Sequence, residues 1–238
     1  MPFTFSHPAI VLPFFKKKYC SATALVVGSM SPDLEYFFRM KMHSQWSHTF
    51  LGIFLIDFPL GFLVIFAFHE IIKKPLINHL PFCISGRLQL LKNKNWMTYF
   101  RRHVFIVISS FFLGAVSHIF WDSMTHWDGY LVQKIPFLNN SFFSFPVYTI
   151  AQHGSSMLGL ILLFWHVYKL PVIPDPVENK LLVYWSSTLG IWAVILATRF
   201  WFGLEFDQLG SLIVSVLFSG FLAITAVGLL FREKNNNE

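Results

Sequence analysis

His118, Asp122 and His126 stand four residues apart in the phrase GAVSHIFWDSMTHWDG. On a helix, a spacing of i, i+4, i+8 puts all three side chains on one face. Imidazole, carboxylate and imidazole in one stripe can supply several ligands to one or two divalent ions. The same residues could equally form a hydrogen-bonded polar helix end, so the rest of the chain must decide. Four further residues bear on it: His7 in TFSHPA, Asp33 in SMSPDLEYF, His48 in QWSHTFLG and His153 in AQHGSSMLG. Asp122, central in the triplet, is the natural bridging carboxylate. Asp33 is the second, as ligand or general base. Asp33 and Asp122 are therefore the expected catalytic groups.

Composition says what must position these residues. The 238-residue chain is 55% hydrophobic and only 13% charged. Soluble domains carry about 25% charge, so this chain lacks the polar groups to cover a water-facing surface. Its mean hydropathy of +0.56 agrees. Disorder, a coiled coil, a collagen-like fibre and a disulfide scaffold are excluded, and Cys20 and Cys83 sit in unrelated contexts.

The pattern predicts an all-α integral membrane helical bundle. Five apolar stretches stand out, at about residues 50–69, 104–121, 155–168, 181–202 and 209–231. Roughly 20 apolar residues cross a hydrocarbon core of about 30 Å, so four fit and the third falls short. Residues 1–49 read as short helices lying on or dipping into the outer interface. Pro2, Pro8 and Pro13 interrupt the first apolar run, and SATALVVGSM is too short to span. The expected organisation is one membrane domain over residues 1–238, with a transmembrane bundle at 50–231 and a polar tail at 232–238.

Orientation follows from the basic residues. From Ile71 to Val104 the chain carries seven lysines and arginines and no acidic residue, which places that loop in the cytoplasm. Lys169, Lys180, Arg232 and Lys234 agree. The loop from Asp122 to Gly154 holds one basic residue, Lys134, and the loop after the fourth stretch holds Glu205 and Asp207; both read as outside. The N-terminal region is then outside too, with Lys16, Lys17 and Lys18 running against the rule. His118 falls roughly 22 Å along the second stretch by helical rise. All seven candidate ligands thus share the outer side, although the orientation was set from lysines and arginines alone.

The remaining polar residues have plainer readings. His69, His79 and His103 fall on or beside the basic loop, and His166 is a packed polar residue. His43 could support the site from behind, as could Asp57, two turns below His48; Glu35 reads as a solvated neighbour of Asp33. Ser6, Ser47, Ser117 and Ser155 read as caps or close-packing residues. No GxSxG element, P-loop or GxGxxG occurs. The net charge of +6 is spent on topology, and the 29 phenylalanines suit lipid and interface, so no nucleic-acid partner is expected. No motif sets an oligomeric state.

MPFTFSHPAIVLP, VVGSMSPDLEYF, SHTFLGIFLIDFPLG, LGAVSHIFWDSMTH and AQHGSSMLGL together resemble the bacterial family catalogued as domain of unknown function 4184, over essentially the whole chain. The resemblance implies a multi-pass protein of the bacterial inner (cytoplasmic) membrane. A weaker likeness, in the order of a PD element, an S-H element and an SH-x3-D helix, is to inner-membrane metal-dependent hydrolases. In ligand order alone the chain is similar to zinc-dependent phospholipase C and the fungal single-strand nucleases. It departs from them at Met157, where they carry a carboxylate, and in lacking their N-terminal tryptophan ligand. That implies one or two metals rather than three.

The expected function is a membrane-embedded metal-dependent hydrolase, with zinc or manganese as the divalent metal and a lipid or other phosphoester from the envelope as substrate. The partner is the bilayer itself. The alternative is a non-catalytic metal-binding or transport protein. Transport favours ligands near the midplane with a polar path through both leaflets, whereas these lie on one side. A bis-histidine haem is disfavoured by the carboxylates.

Overall fold

The computed structural model describes residues 3–174 and 181–232. Lys180, Lys234 and the tail beyond Arg232 lie outside the described residues. The fold is all-α. The strands among the described residues are a two-residue pair, Ser141–Phe142 and Phe145–Pro146, joined by a turn in which Phe143 and Ser144 both take positive φ, 47° and 66°.

Among the described residues, five helices are long and apolar enough to cross a membrane: Phe50–Asn78, Val104–Thr125, Val147–Tyr168, Leu181–Trp201 and Leu209–Leu230. They are called the first to fifth spans below, and they give the chain the plan of a multi-pass membrane protein. Two differ from the sequence expectation. The first runs on past His69 through Lys73, Lys74 and Pro75, with π-helical turns at Ile53–Asp57 and Phe68–Ile72. Pro75 cannot donate to the carbonyl of Ile71, and the wider turn lies directly before it. The third begins at Val147 rather than near Ser155 and so reaches 22 residues, enough to span. Its first turns are polar enough to hide it from an apolar search.

Contacts divide the chain into two compact units. One comprises the residues up to Leu34, Trp46–Gly61 and Phe100–Lys169; the other comprises Glu35–Gln45, Phe62–Tyr99 and the described residues from Leu170 onward. In the second unit the fourth and fifth spans pack together, with the Trp192 indole N–H donating to the Val216 carbonyl at 3.0 Å. Met40 is tied to the fifth span by the Ser215 hydroxyl, 3.0 Å from its carbonyl.

In the first unit the N-terminal segment folds as a chain of short turns and helices: Thr4–Ser6, Pro8–Val11, Leu12–Phe14, Ala22–Gly28 and Ser31–Asp33. Helix Ala22–Gly28 buries Ala24 and Leu25 completely and packs against the second span. Two glycines allow the approach. A Cβ on Gly28 would lie 2.2 Å from the Phe111 carbonyl oxygen, and one on Gly114 would lie 2.5 Å from that of Leu25. Gly114 is about 15 Å along the second span by helical rise, so this N-terminal helix meets that span at mid-length.

Irregular backbone at such a depth needs internal hydrogen-bond partners. The serines supply them. Ser21 N–H donates to the Ser110 hydroxyl at 2.9 Å, Ser29 Oγ to the Val26 carbonyl at 2.8 Å, and Ser31 Oγ to the Gly28 carbonyl at 2.8 Å.

Candidate metal centre

The Gly28–Gly114 crossing sets the end of the N-terminal helix beside the second span one turn before His118. The Ser29 carbonyl then lies 2.8 Å from His118 Nδ1. A carbonyl only accepts, so Nδ1 carries the proton and Nε2 of the neutral ring offers a lone pair. The turn Thr4–Ser6 treats His7 alike: His7 Nδ1 faces the Thr4 carbonyl at 3.3 Å. The two imidazoles stack, with centroids 3.9 Å apart and planes 17° from parallel.

Both stacked rings present Nε2 to Asp122. His7 Nε2 is 3.2 Å from Oδ1, and His118 Nε2 is 3.2 Å from Oδ2. From the other side come Asp33 and His48. His48 Nε2 lies 3.4 Å from Asp33 Oδ1 and 3.7 Å from Asp122 Oδ2, while His118 Nε2 lies 3.6 Å from Asp33 Oδ1. Asp33 Oδ1, His48 Nε2, Asp122 Oδ2 and His118 Nε2 therefore form a closed ring of alternating oxygen and nitrogen, with edges of 3.2–3.7 Å.

Partners outside this ring hold its members. Thr4 Oγ1 donates to Asp33 Oδ2 at 2.5 Å, and Ser47 Oγ lies 3.2 Å from His48 Nδ1. His48 itself sits at φ 68°, in the left-handed region, just ahead of the Thr49 cap that starts the first span. A non-glycine residue there is strained by about 1–2 kcal/mol, and such strain concentrates at functional sites.

His7, Asp33 and His118 are fully buried, Asp122 nearly so, and the His48 side chain is 26% exposed at the rim. Burial pushes the Asp33 carboxyl up, but His118 and His48 beside it outweigh that and hold it well below the usual carboxylate range. Burial lowers the pKa of the His126 imidazole, against the opposing pull of Asp122.

Of the seven residues expected here, the structure brings together His7, Asp33, His48, His118 and Asp122, with His126 at the margin. His126 Nδ1 is 3.7 Å from Asp122 Oδ1 and 3.1 Å from the Asp122 carbonyl. His153 is exposed on the third span and belongs neither to the set His7, His118 and Asp122 nor to the set Asp33, His48 and His118, the two groups of mutually close donors among the described residues. His43 is exposed, and Glu35 belongs to a separate knot, accepting from Arg39 Nε at 2.9 Å and from the Gln45 N–H at 3.1 Å. Two contributors carried no signal in the sequence, the Thr4 hydroxyl and the Ser29 carbonyl.

The donor set fits a divalent ion. His118 Nε2 and Asp33 Oδ1 are buried without any hydrogen-bond partner. Two sets of three residues, Asp33–His48–His118 and His7–His118–Asp122, each offer donor atoms within 4.8 Å of one another, close enough to share an ion whose ligands stand roughly 3.3–3.6 Å apart.

The fold and these residues define an all-α, multi-pass membrane protein with a buried histidine–aspartate cluster. The chain belongs to the family described as Domain of unknown function (DUF4184), whose profile matches residues 1–232. No curated protein and no solved structure matches the chain.

Proposed function

We propose that this protein is a membrane-embedded metal-dependent hydrolase acting on a phosphoester, with zinc or manganese held by Asp33, His48 and His118, and with His7 and Asp122 beside them as further donors. The observation that carries the reading is the pair His118 Nε2 and Asp33 Oδ1, two buried lone-pair donors with no hydrogen bond. Leaving such groups unsatisfied costs several kcal/mol, and a shared cation removes the cost.

A divalent ion bound there supplies Lewis-acid chemistry, polarising a phosphoryl oxygen and bringing the pKa of water toward about 7. The chain's own groups do the rest. The Thr4 and Ser29 carbonyls fix the tautomers of His7 and His118, as partners behind metal-binding histidines commonly do. Thr4 Oγ1 turns Asp33 so that Oδ1 faces the ring. His48, a quarter exposed at the rim, lies where substrate and water would enter. With Oδ2 taken by Thr4 and Oδ1 by the ring, Asp33 acts as a ligand rather than as a free base.

The basic stretch between the first and second spans supports a bacterial inner-membrane topology with the cluster toward the extracytoplasmic face, where lipid headgroups and envelope precursors are at hand. Metal analysis of the detergent-purified protein beside Asp122→Asn tests the reading. The parent should carry one or two ions per chain. Asp122→Asn should lose most of them, by more than the roughly 10–100-fold of a supporting residue, with membrane insertion intact. A panel of phosphomonoester, phosphodiester and phospholipid substrates with added zinc or manganese should then show turnover by the parent alone. Bound metal without turnover supports the metal-binding or transport reading instead. Absence of metal at neutral pH overturns both and leaves protons as the charges that balance Asp33 and Asp122.

A further inference from the structure

The second unit holds a cavity of about 770 Å³, lined by the last turns of the first span, by residues 93–96 and by the end of the fifth span. That volume falls in the usual range of ligand pockets, about 300–1,000 Å³. Its wall carries four cationic side chains, Lys73, Lys74, Lys94 and Arg232, against one carboxylate, Glu70. Lys73 is only 2% exposed; its ammonium donates to the Lys94 carbonyl at 2.5 Å. An ammonium has three donors and is costly to bury without compensating negative charge. The residues that bring it there belong to the stretch that carries the first span past its π-turn, so the helix extension itself builds this wall.

The remaining lining is split in character. Asn78, Asn93 and Asn95 offer amides, while Trp96 and Leu230 offer apolar surface, and Leu230 is 72% exposed at the cavity's edge. A cationic, amide-rich interior opening on apolar surface matches an anion attached to an apolar body.

We propose that this cavity binds a phosphate-bearing anion, with the phosphate against Lys73, Lys74 and Arg232. Basic pockets between spans take anionic lipid headgroups in this way, and a soluble phosphate offers the same charge. The site is independent of the histidine–aspartate cluster and stands or falls separately from it.

The test uses the full-length protein in detergent with equimolar phosphatidylglycerol and phosphatidylcholine, with native mass spectrometry counting retained lipids. A thermal-shift arm uses sodium phosphate. The comparison is with the double variant Lys74→Gln/Arg232→Gln, which alters two exposed side chains, and with Arg101→Gln, which removes a charge outside the cavity. The parent and Arg101→Gln should retain phosphatidylglycerol at least tenfold over phosphatidylcholine, and the double variant should show no preference. If the source is soluble phosphate, sodium phosphate should raise the melting temperature of the parent, displace phosphatidylglycerol, and do neither in the double variant. Equal retention of the two lipids by the parent with no phosphate-induced shift overturns the proposal. So does a preference that survives in the double variant or is lost equally in Arg101→Gln.

Discussion

His118 Nε2 and Asp33 Oδ1 face each other across 3.6 Å in the protein interior, and neither makes a hydrogen bond. A proton shared between an imidazole and a carboxylate draws them to about 2.7–2.9 Å. Two ligands of one tetrahedral ion stand farther apart, at roughly 3.3–3.6 Å. Under the proposed metal-binding reading, the ion takes up the lone pairs that these two atoms leave unshared.

Asp33 and Thr4 should separate ligand from support. Asp33→Asn removes the charge and should abolish metal binding almost as fully as Asp122→Asn. Thr4→Val keeps the shape but deletes the hydroxyl that turns Asp33, and should weaken binding by about 10–100-fold. Competition with a calibrated chelator reads both. Asp33→Asn retaining full metal while losing turnover would instead make Asp33 the general base.

Gly114→Ala should damage the site from a distance. The new methyl would lie 2.5 Å from the Leu25 carbonyl, against backbone that cannot swing away. Overpacking of this kind costs about 1–3 kcal/mol and should displace Ser29 from His118. Gly154→Ala, with nothing within 4 Å of the added carbon, is the matched control and should be neutral or slightly stabilising. Thermal unfolding and metal content should fall together in the first variant and hold in the second.

His48 should reveal its strain. His48→Ala and His48→Gly both remove the ligand and should bind metal equally poorly. In metal-free protein, however, the glycine variant should be the more stable by about 1 kcal/mol, because φ 68° is open to glycine and not to alanine. Equal melting temperatures would mean that the left-handed backbone there is not under strain.

Reporter fusions test the sidedness of the cluster. A fusion near Lys92 should report the cytoplasm and one near Asn139 the opposite compartment. The reverse result would place the cluster on the cytoplasmic face and remove the argument for extracytoplasmic substrates.

The triplet His118, Asp122 and His126 was legible because one helix carries it, and helical spacing is periodic. His7, Asp33 and His48 were legible only indirectly, as histidines and aspartates that the charge pattern put on one side. The Ser29 carbonyl was invisible, since every residue has one and no side chain marks it. The Gly28–Gly114 crossing was equally hidden, because each glycine has meaning only against the other's helix. His153 stayed out of the cluster for a reason of phase. Gly159, buried against Ser6, and Ser156, which accepts from the Phe3 N–H, mark the inward face of the third span. His153 is six residues before Gly159 and three before Ser156, so at 100° per residue it lies about 120° round the helix from the first and about 60° from the second, past the edge of that face. The first span's continuation to Asn78 escaped detection because lysines and a proline read as its end.

The contact between His7 and Asp122 joins residues 115 positions apart. A ribosome adding 5–20 residues per second makes the second of them roughly 6–23 s after the first. For that interval the amino-terminal histidine and Asp33 have no partners on the second span, and the cluster can close only after that span is in the membrane. His7 is fully buried in the cluster.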